Sequence, residues 1–193
     1  DNITTPLTLA NSPFWTITPS YSEDIYIANL RILAPLTKIG NTDGCNLESC
    51  RNAVIKNLYI KNGDDGIALK SGLNGLGLNL AVPTEHVWIN NITTEGRGGL
   101  AMGSEMSGGI RNVTVRNCRL LGERSIIFKP SVGRGGYMED IRFENITTSS
   151  RGVYFAMNHD GIPLLPDNHY VPLVSNIRFH QVTHLDGLRG FAH

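Results

Sequence analysis

Residues 52–58 read "NAVIKNL", and the pattern behind them decides the fold. A polar residue is followed by apolar, any, apolar, any, Asn and apolar residues. The same pattern returns as "DIYIANL" (24–30), "HVWINNI" (86–92), "NVTVRNC" (112–118), "DIRFENI" (140–146) and "NIRFHQV" (176–182). Its sixth position holds Asn29, Asn57, Asn91, Asn117, Asn145 and finally Gln181. Successive copies lie 28, 34, 26, 28 and 36 residues apart, a period near 30. Such a period signals a solenoid, in which each unit buries its apolar face only against its neighbours.

Within each copy the apolar residues alternate as in a strand. A second short strand follows in most copies: "GIALKSG" (66–72), "GLAMGSE" (99–105), "SIIFKPS" (125–131) and "GVYFAMN" (152–158). No ten-residue segment has helical periodicity. The chain is therefore expected to be all-β, a right-handed parallel β-helix of about six coils, with residues 1–193 in one domain. It begins as if in mid-helix and stops soon after its sixth coil, as a piece of a longer β-helix or a reduced version would.

The repeated Asn has a physical role in such a fold. It tolerates left-handed backbone angles at a turn, and its amide can bond to the Asn of the next coil. Four Asn also sit in N-x-T sequons: Asn2, Asn91, Asn112 and Asn145. Asn91 and Asn145 belong to the ladder and are read as structural. Asn2 and Asn112 remain candidate glycan acceptors if the chain enters a secretory route.

Composition narrows the function classes. The 193 residues carry 17 Lys plus Arg and 17 Asp plus Glu. Balanced charge gives no support for nucleic-acid binding, and no apolar run approaches a membrane span. No secretory leader is visible at the start, so one was removed or never present. Zinc is not expected, because no second Cys/His pair stands at ligand spacing. Of the three cysteines, Cys45 and Cys50 are close enough to bridge if the turn permits; the alternative is three buried thiols. Cys118 takes an apolar ladder-side position and reads as a core thiol.

Three carboxylates, Asp43, Asp64 and Asp65, stand beside glycines in "NTDG" (41–44) and "GDDG" (63–66). Strand alternation turns Ile67, Leu69, Leu100, Met102, Ile126 and Phe128 inward. It turns Ala68, Lys70, Ala101, Ile127 and Lys129 outward. Asp64 and Asp65 precede one short strand and Arg97 another, so coils in register would gather these groups on one outer face. Crowded carboxylates suit acid–base hydrolysis, because one keeps its proton while its neighbours stay ionised. They also suit a hard cation such as Ca²⁺, and "GDDG" alone is a common solvated turn.

In family order, "LTLANSPFWTITPSYSEDIYIANLRILAP" (7–35), "NTDG", "GDDGIALKSG" (63–72), "GRGGLAMGSEMSGG" (96–109) and "FKPSVGRGGYMEDIRFENI" (128–146) resemble the motifs of the polygalacturonase family, glycoside hydrolase family 28. The resemblance runs from about residue 7 to residue 183. It implies a pectin-cleaving parallel β-helix that inverts at α-1,4-galacturonosyl linkages. Asp64 would be the general acid, with Asp43 and Asp65 activating water. Lys129 would bind a substrate carboxylate, with Arg97 and Lys70 beside it. It implies no cofactor, a pectic polysaccharide as partner and secretion from the cell.

The chain departs from that family at four places. Arg97 stands where Gly-His-Gly is usual, Ile127 replaces the arginine of Arg-Ile-Lys, Asn46 replaces a common aspartate and Gly66 a common cysteine. These changes keep open a carbohydrate-binding pseudoenzyme and a rhamnogalacturonan-type hydrolase. A calcium-dependent polysaccharide lyase, which also uses a parallel β-helix and would take Arg97 as its base, and a structural adhesin, which gives no reason for the ordered aspartates, are further rivals.

Overall fold

The structure, a computed structural model, describes residues 6–34, 40–157 and 170–185. From residue 23 to residue 155, each coil contributes one long strand and one short one. The long strands are β2 (Glu23–Leu33), β4 (Arg51–Asn62), β6 (Thr84–Gly96), β8 (Ile110–Leu120), β10 (Tyr137–Ser149) and β12 (Leu173–Leu185). With β1 (Leu7–Ala10) they form a seven-stranded parallel sheet in the order β1-β2-β4-β6-β8-β10-β12. The short strands β3 (Cys45–Glu48), β5 (Ile67–Lys70), β7 (Gly98–Gly103), β9 (Arg124–Lys129) and β11 (Val153–Phe155) stack as a second parallel sheet. This is the parallel β-helix that the repeat predicts.

The long strands are bent, and the bends explain the repeat. Asn29, Asn57, Asn91, Asn117, Asn145 and Gln181 all have φ between 53° and 59°. In β4, Ala53 and Ile55 point into the core, as do Leu58 and Ile60. Strict alternation would bring Asn57 inward; the left-handed residue swings it out and restarts the alternation one position later. The same reset leaves Val87, Ile89 and Ile92 inside in β6, and Ile141, Phe143 and Ile146 inside in β10.

The amide ladder follows this column. Asn57 Nδ2 donates to Asn29 at 2.9 Å, Asn91 to Asn57 at 2.8 Å and Asn145 to Asn117 at 2.8 Å. One rung differs: Asn117 donates to Asn90 at 2.9 Å, because the outward neighbour of Asn91 presents its carbonyl there. A second left-handed column opens each copy of the repeat and includes Asp24, Asn52, His86, Asn112, Asp140 and Asn176. Asn52 donates to Asp24 at 3.2 Å, and Asn112 Nδ2 lies 2.7 Å from His86 Nδ1. Asn112 is thus a second-column residue, whereas Asn2 lies outside the described residues. Beside this column the register places Glu23, Arg51, Glu85, Arg111 and Glu139 in a row of alternating sign.

One core runs through the stack, with Phe128, Phe143, Leu47, Leu69 and Ile89 fully buried. Cys45, Cys50 and Cys118 are free and buried, so the bridge between the first two does not form. The Cys50 thiol instead bonds the carbonyls of Pro19 and Glu48 at 3.3 Å. Burial pushes the Cys45 and Cys118 thiols up to about 12. A short helix, α1 (Asn74–Leu80), interrupts the link from β5 to β6 and ends on Ala81 in the left-handed region. Its seven residues are too few for helical periodicity to register in sequence.

The corner can be tested at Asn57, which both gives and receives an amide bond. Asn57→Ala removes both bonds and puts a Cβ residue without a local partner at φ 55°. It should lower stability by about 1–2 kcal/mol in urea melts. Asn57→Gly keeps the backbone angle without strain and should cost less than the alanine. Equal losses for the two variants would show that the backbone angle is not what the Asn supplies.

Candidate active site

The cleft lies on the outer face of the short-strand sheet, at the corners that lead into its strands. These corners are stacked by backbone bonds: Gly44 N–H donates to Asp65 O at 3.0 Å, Gly98 to Asp64 O at 2.9 Å and Arg124 to Arg97 O at 2.9 Å. Glycines let the coils approach here. A Cβ on Gly44 would lie 2.5 Å from Gly66 O, and one on Gly66 would lie 2.7 Å from Gly99 O. Gly44 and Gly66, beside the aspartates, are therefore a packing requirement of the corner.

Asp43, Asp64, Asp65, Lys70, Arg97 and Lys129 all line one cleft of about 260 Å³. Sequence reasoning did not select Trp15, Asn41, Ser104, Glu105 or Arg124, which complete the lining. Arg124 opens β9 at the position that pairs with Gly98 in β7. The corner rule that singled out Asp64, Asp65 and Arg97 would have found it if applied to "RSIIFK" as well.

The charges are paired across coils. Lys129 Nζ lies 2.7 Å from Asp65 Oδ2, and both groups are buried. Arg124 Nη2 lies 2.8 Å from Asp64 Oδ1 and 3.6 Å from Asp65 Oδ1. Asn41 N–H donates to Asp64 Oδ2 at 3.0 Å, and Asn46 Nδ2 donates to Asp43 Oδ2 at 2.9 Å. Lys70 lies 3.2 Å from Glu105 and 4.1 Å above the Trp15 ring, and its charge also acts on Asp43. Among the described residues no group of three or more His, Cys, Asp and Glu is placed to hold a metal ion.

These contacts set the protonation pattern of the free cleft. Burial, reinforced by the Asp65 charge, pushes Asp43 up from 3.8 to about 6. Asp64 also loses water by burial, which alone would raise it. The Asn41 N–H and the Arg124 and Arg97 charges outweigh that, and Asp64 sits below the usual carboxylate range. Burial and the neighbouring Asp65 charge raise Asp43 while Asp64 is lowered, so in the free cleft a proton is held more readily on Asp43 than on Asp64.

The outward-facing row behaves differently from a solvated strand face. Ala68, Ala101 and Ile127 leave the main core as alternation predicts, yet they are almost fully buried. Tyr154 and Ala156 pack against them, so Ile127 is covered and borders a neighbouring pocket, while Lys129 lines the cleft.

A family profile described as "Glycosyl hydrolases family 28" matches residues 2–183. The chain belongs to glycosyl hydrolases family 28. A "Probable polygalacturonase" of Vitis vinifera is 40% identical over 169 residues, covering 86% of this chain and 34% of that protein. The crystal structure of a hyperthermoactive exopolygalacturonase from Thermotoga maritima superposes with a TM-score of 0.84 at 32% identity. That match covers 92% of this chain and 40% of the other. A polygalacturonase from Erwinia carotovora ssp. carotovora shares the fold, with a TM-score of 0.69 at 21% identity over 93% and 52% of the two chains. The chain thus spans about a third of the grape protein and two fifths of the Thermotoga one.

Within family 28, two departures of this member acquire local reasons. Gly66 is held small by Gly99 O and the Thr94 methyl, 2.7 and 2.8 Å from where its Cβ would stand. Asn46 is a neutral donor to Asp43, where an aspartate would add a fourth negative charge.

The raised Asp43 has a consequence for stability. Its folded state favours the protonated form, so this contribution is complete below about 3.8 and is lost as pH rises through about 6. Asp43→Asn removes the cost of charging a buried group. It should therefore stabilise the fold by about 1–3 kcal/mol above pH 6 and change little below pH 4. Thermal melts at the two extremes measure this; a variant equally affected at both would place the Asp43 proton elsewhere.

Proposed function

We propose that this chain hydrolyses α-1,4-galacturonosyl linkages of pectin with inversion, and that the pectic polysaccharide is met outside the cell. The observation that supports it is the assembly of three aspartates and four cations, Lys70, Arg97, Arg124 and Lys129, from successive coils, in one open cleft. Asp64 is the most exposed of the three aspartates and serves as the acid for the leaving oxygen. Asp43 and Asp65 take the proton of the attacking water. The water hydroxyl goes to the anomeric carbon and the Asp64 proton to the departing oxygen, so two carboxyl groups and one water balance the reaction. Lys129 and Arg97 offer charge-assisted bonds to uronate carboxylates, and Lys70 with Trp15 bounds the far side of the cleft.

The pairing of each aspartate with a protein donor or cation favours this reading over a carboxylate cage for a hard cation. A second reading, binding without hydrolysis, draws on the Arg124–Asp64 pair, which leaves the acid unprotonated in the free cleft.

Reducing-sugar release from polygalacturonate, rhamnogalacturonan and methyl-esterified pectin, with and without chelator, separates these readings. Hydrolysis of polygalacturonate that survives chelator is expected. Asp64→Asn should abolish nearly all of it, a loss of about a hundredfold or more, with the fold intact. Retention of full turnover by Asp64→Asn would remove it from the acid role, and sugar binding with no release would favour the non-hydrolytic reading.

A further inference from the structure

Arg124 stands between two pockets. On one side its Nη2 is committed to Asp64 and Asp65. On the other it lines a neighbouring pocket of about 350 Å³ together with Arg97, Arg151 and Tyr154. The Arg124 side chain is 11% exposed, and its Nε is buried with no hydrogen-bond partner. A guanidinium presents its donors in a planar fork suited to a carboxylate, and here part of that fork is unused. The neighbouring pocket carries three arginines against one carboxylate, Glu123, which lies 3.9 Å from Arg151. Arg151 also lies over the Tyr154 ring at 5.9 Å.

This arrangement is poised for exchange. Asp64 is held by Arg124 from β9 and by the Asn41 N–H from the preceding coil, and it lies near Arg97, Asp43 and Asp65. Asp65 keeps Lys129 whatever Arg124 does. Moving Arg124 therefore unpairs Asp64 without stripping Asp65 of its cation.

We propose that Arg124 couples the two pockets: a uronate entering the neighbouring pocket draws the Arg124 guanidinium onto its own carboxylate and so frees Asp64 to carry the proton for the leaving oxygen. The inference deepens the hydrolase reading and rests on its assignment of Asp64. The proton comes from solvent, one per uronate bound, and no other reactant is needed. A neutral sugar carries no charge to compete for Arg124, so Asp64 stays paired and the cleft discriminates by charge before chemistry begins.

The test follows the Asp64 carboxyl carbon by NMR through a pH titration of the whole chain. The probes are galacturonate, which has no linkage to cleave, and galactose as its neutral counterpart. Saturating galacturonate should raise the Asp64 midpoint by about one pH unit or more, a tenfold change in its proton affinity. Galactose should leave it in place. In Arg124→Gln the free protein should already show the higher midpoint, and galacturonate should move it no further. The wild-type titration decides the matter even if that variant fails to fold. Galacturonate that does not bind, that binds without moving Asp64, or that moves it no more than galactose does, overturns the proposal. Reducing-sugar release is read separately: its absence alongside a moved midpoint would sink the hydrolase reading and leave the coupling standing.

Discussion

The structure depends on register between coils. Parallel pairing of each strand with the next fixes where every corner falls, and the left-handed Asn at the bends lets a continuous strand turn without losing inward alternation. Because the corners stack, residues far apart in sequence meet at bonding distance. Lys129 reaches Asp65 across 64 residues and Arg124 reaches Asp64 across 60. A slip of one residue in any short strand would turn its outward groups into the core and dismantle the cleft.

The cleft is an electrostatic compromise within that frame. Three carboxylates in such proximity would repel, and the coils answer with Lys129, Arg124 and Arg97 from later corners. The answer is uneven. Asp65 is paired with Lys129, Asp64 is paired but more exposed, and Asp43 is buried with the Asn46 amide bonded to it. Uneven compensation separates the proton affinities of chemically identical groups, which is what acid–base chemistry at a single pH requires. In the free cleft it raises Asp43 and lowers Asp64.

Much of this was legible in the sequence because a solenoid writes its geometry as a period. The ladder Asn, the inward residues and the gathering of Asp43, Asp64, Asp65, Arg97, Lys70 and Lys129 all follow from spacing and alternation. Four things did not. The second left-handed column was hidden because its position accepts Asp, Asn and His alike, so no single residue type repeats. Arg124 was overlooked because its role comes from stacking on the Arg97 corner, and nothing local marks it. The burial of Ile127 was missed because alternation gives direction and not depth; Tyr154, one coil on, lies against it. Protonation was the least legible of all, since it depends on which cation reaches which oxygen across coils.

We propose that these stacked corners form a water-activating acid–base site that inverts a galacturonosyl linkage. Proton NMR of the first product released from an α-linked oligogalacturonide, recorded before mutarotation, tests it most directly. The account predicts that the new reducing end appears first as the β-anomer. An α-anomer, an unsaturated uronide or no product at all would contradict it.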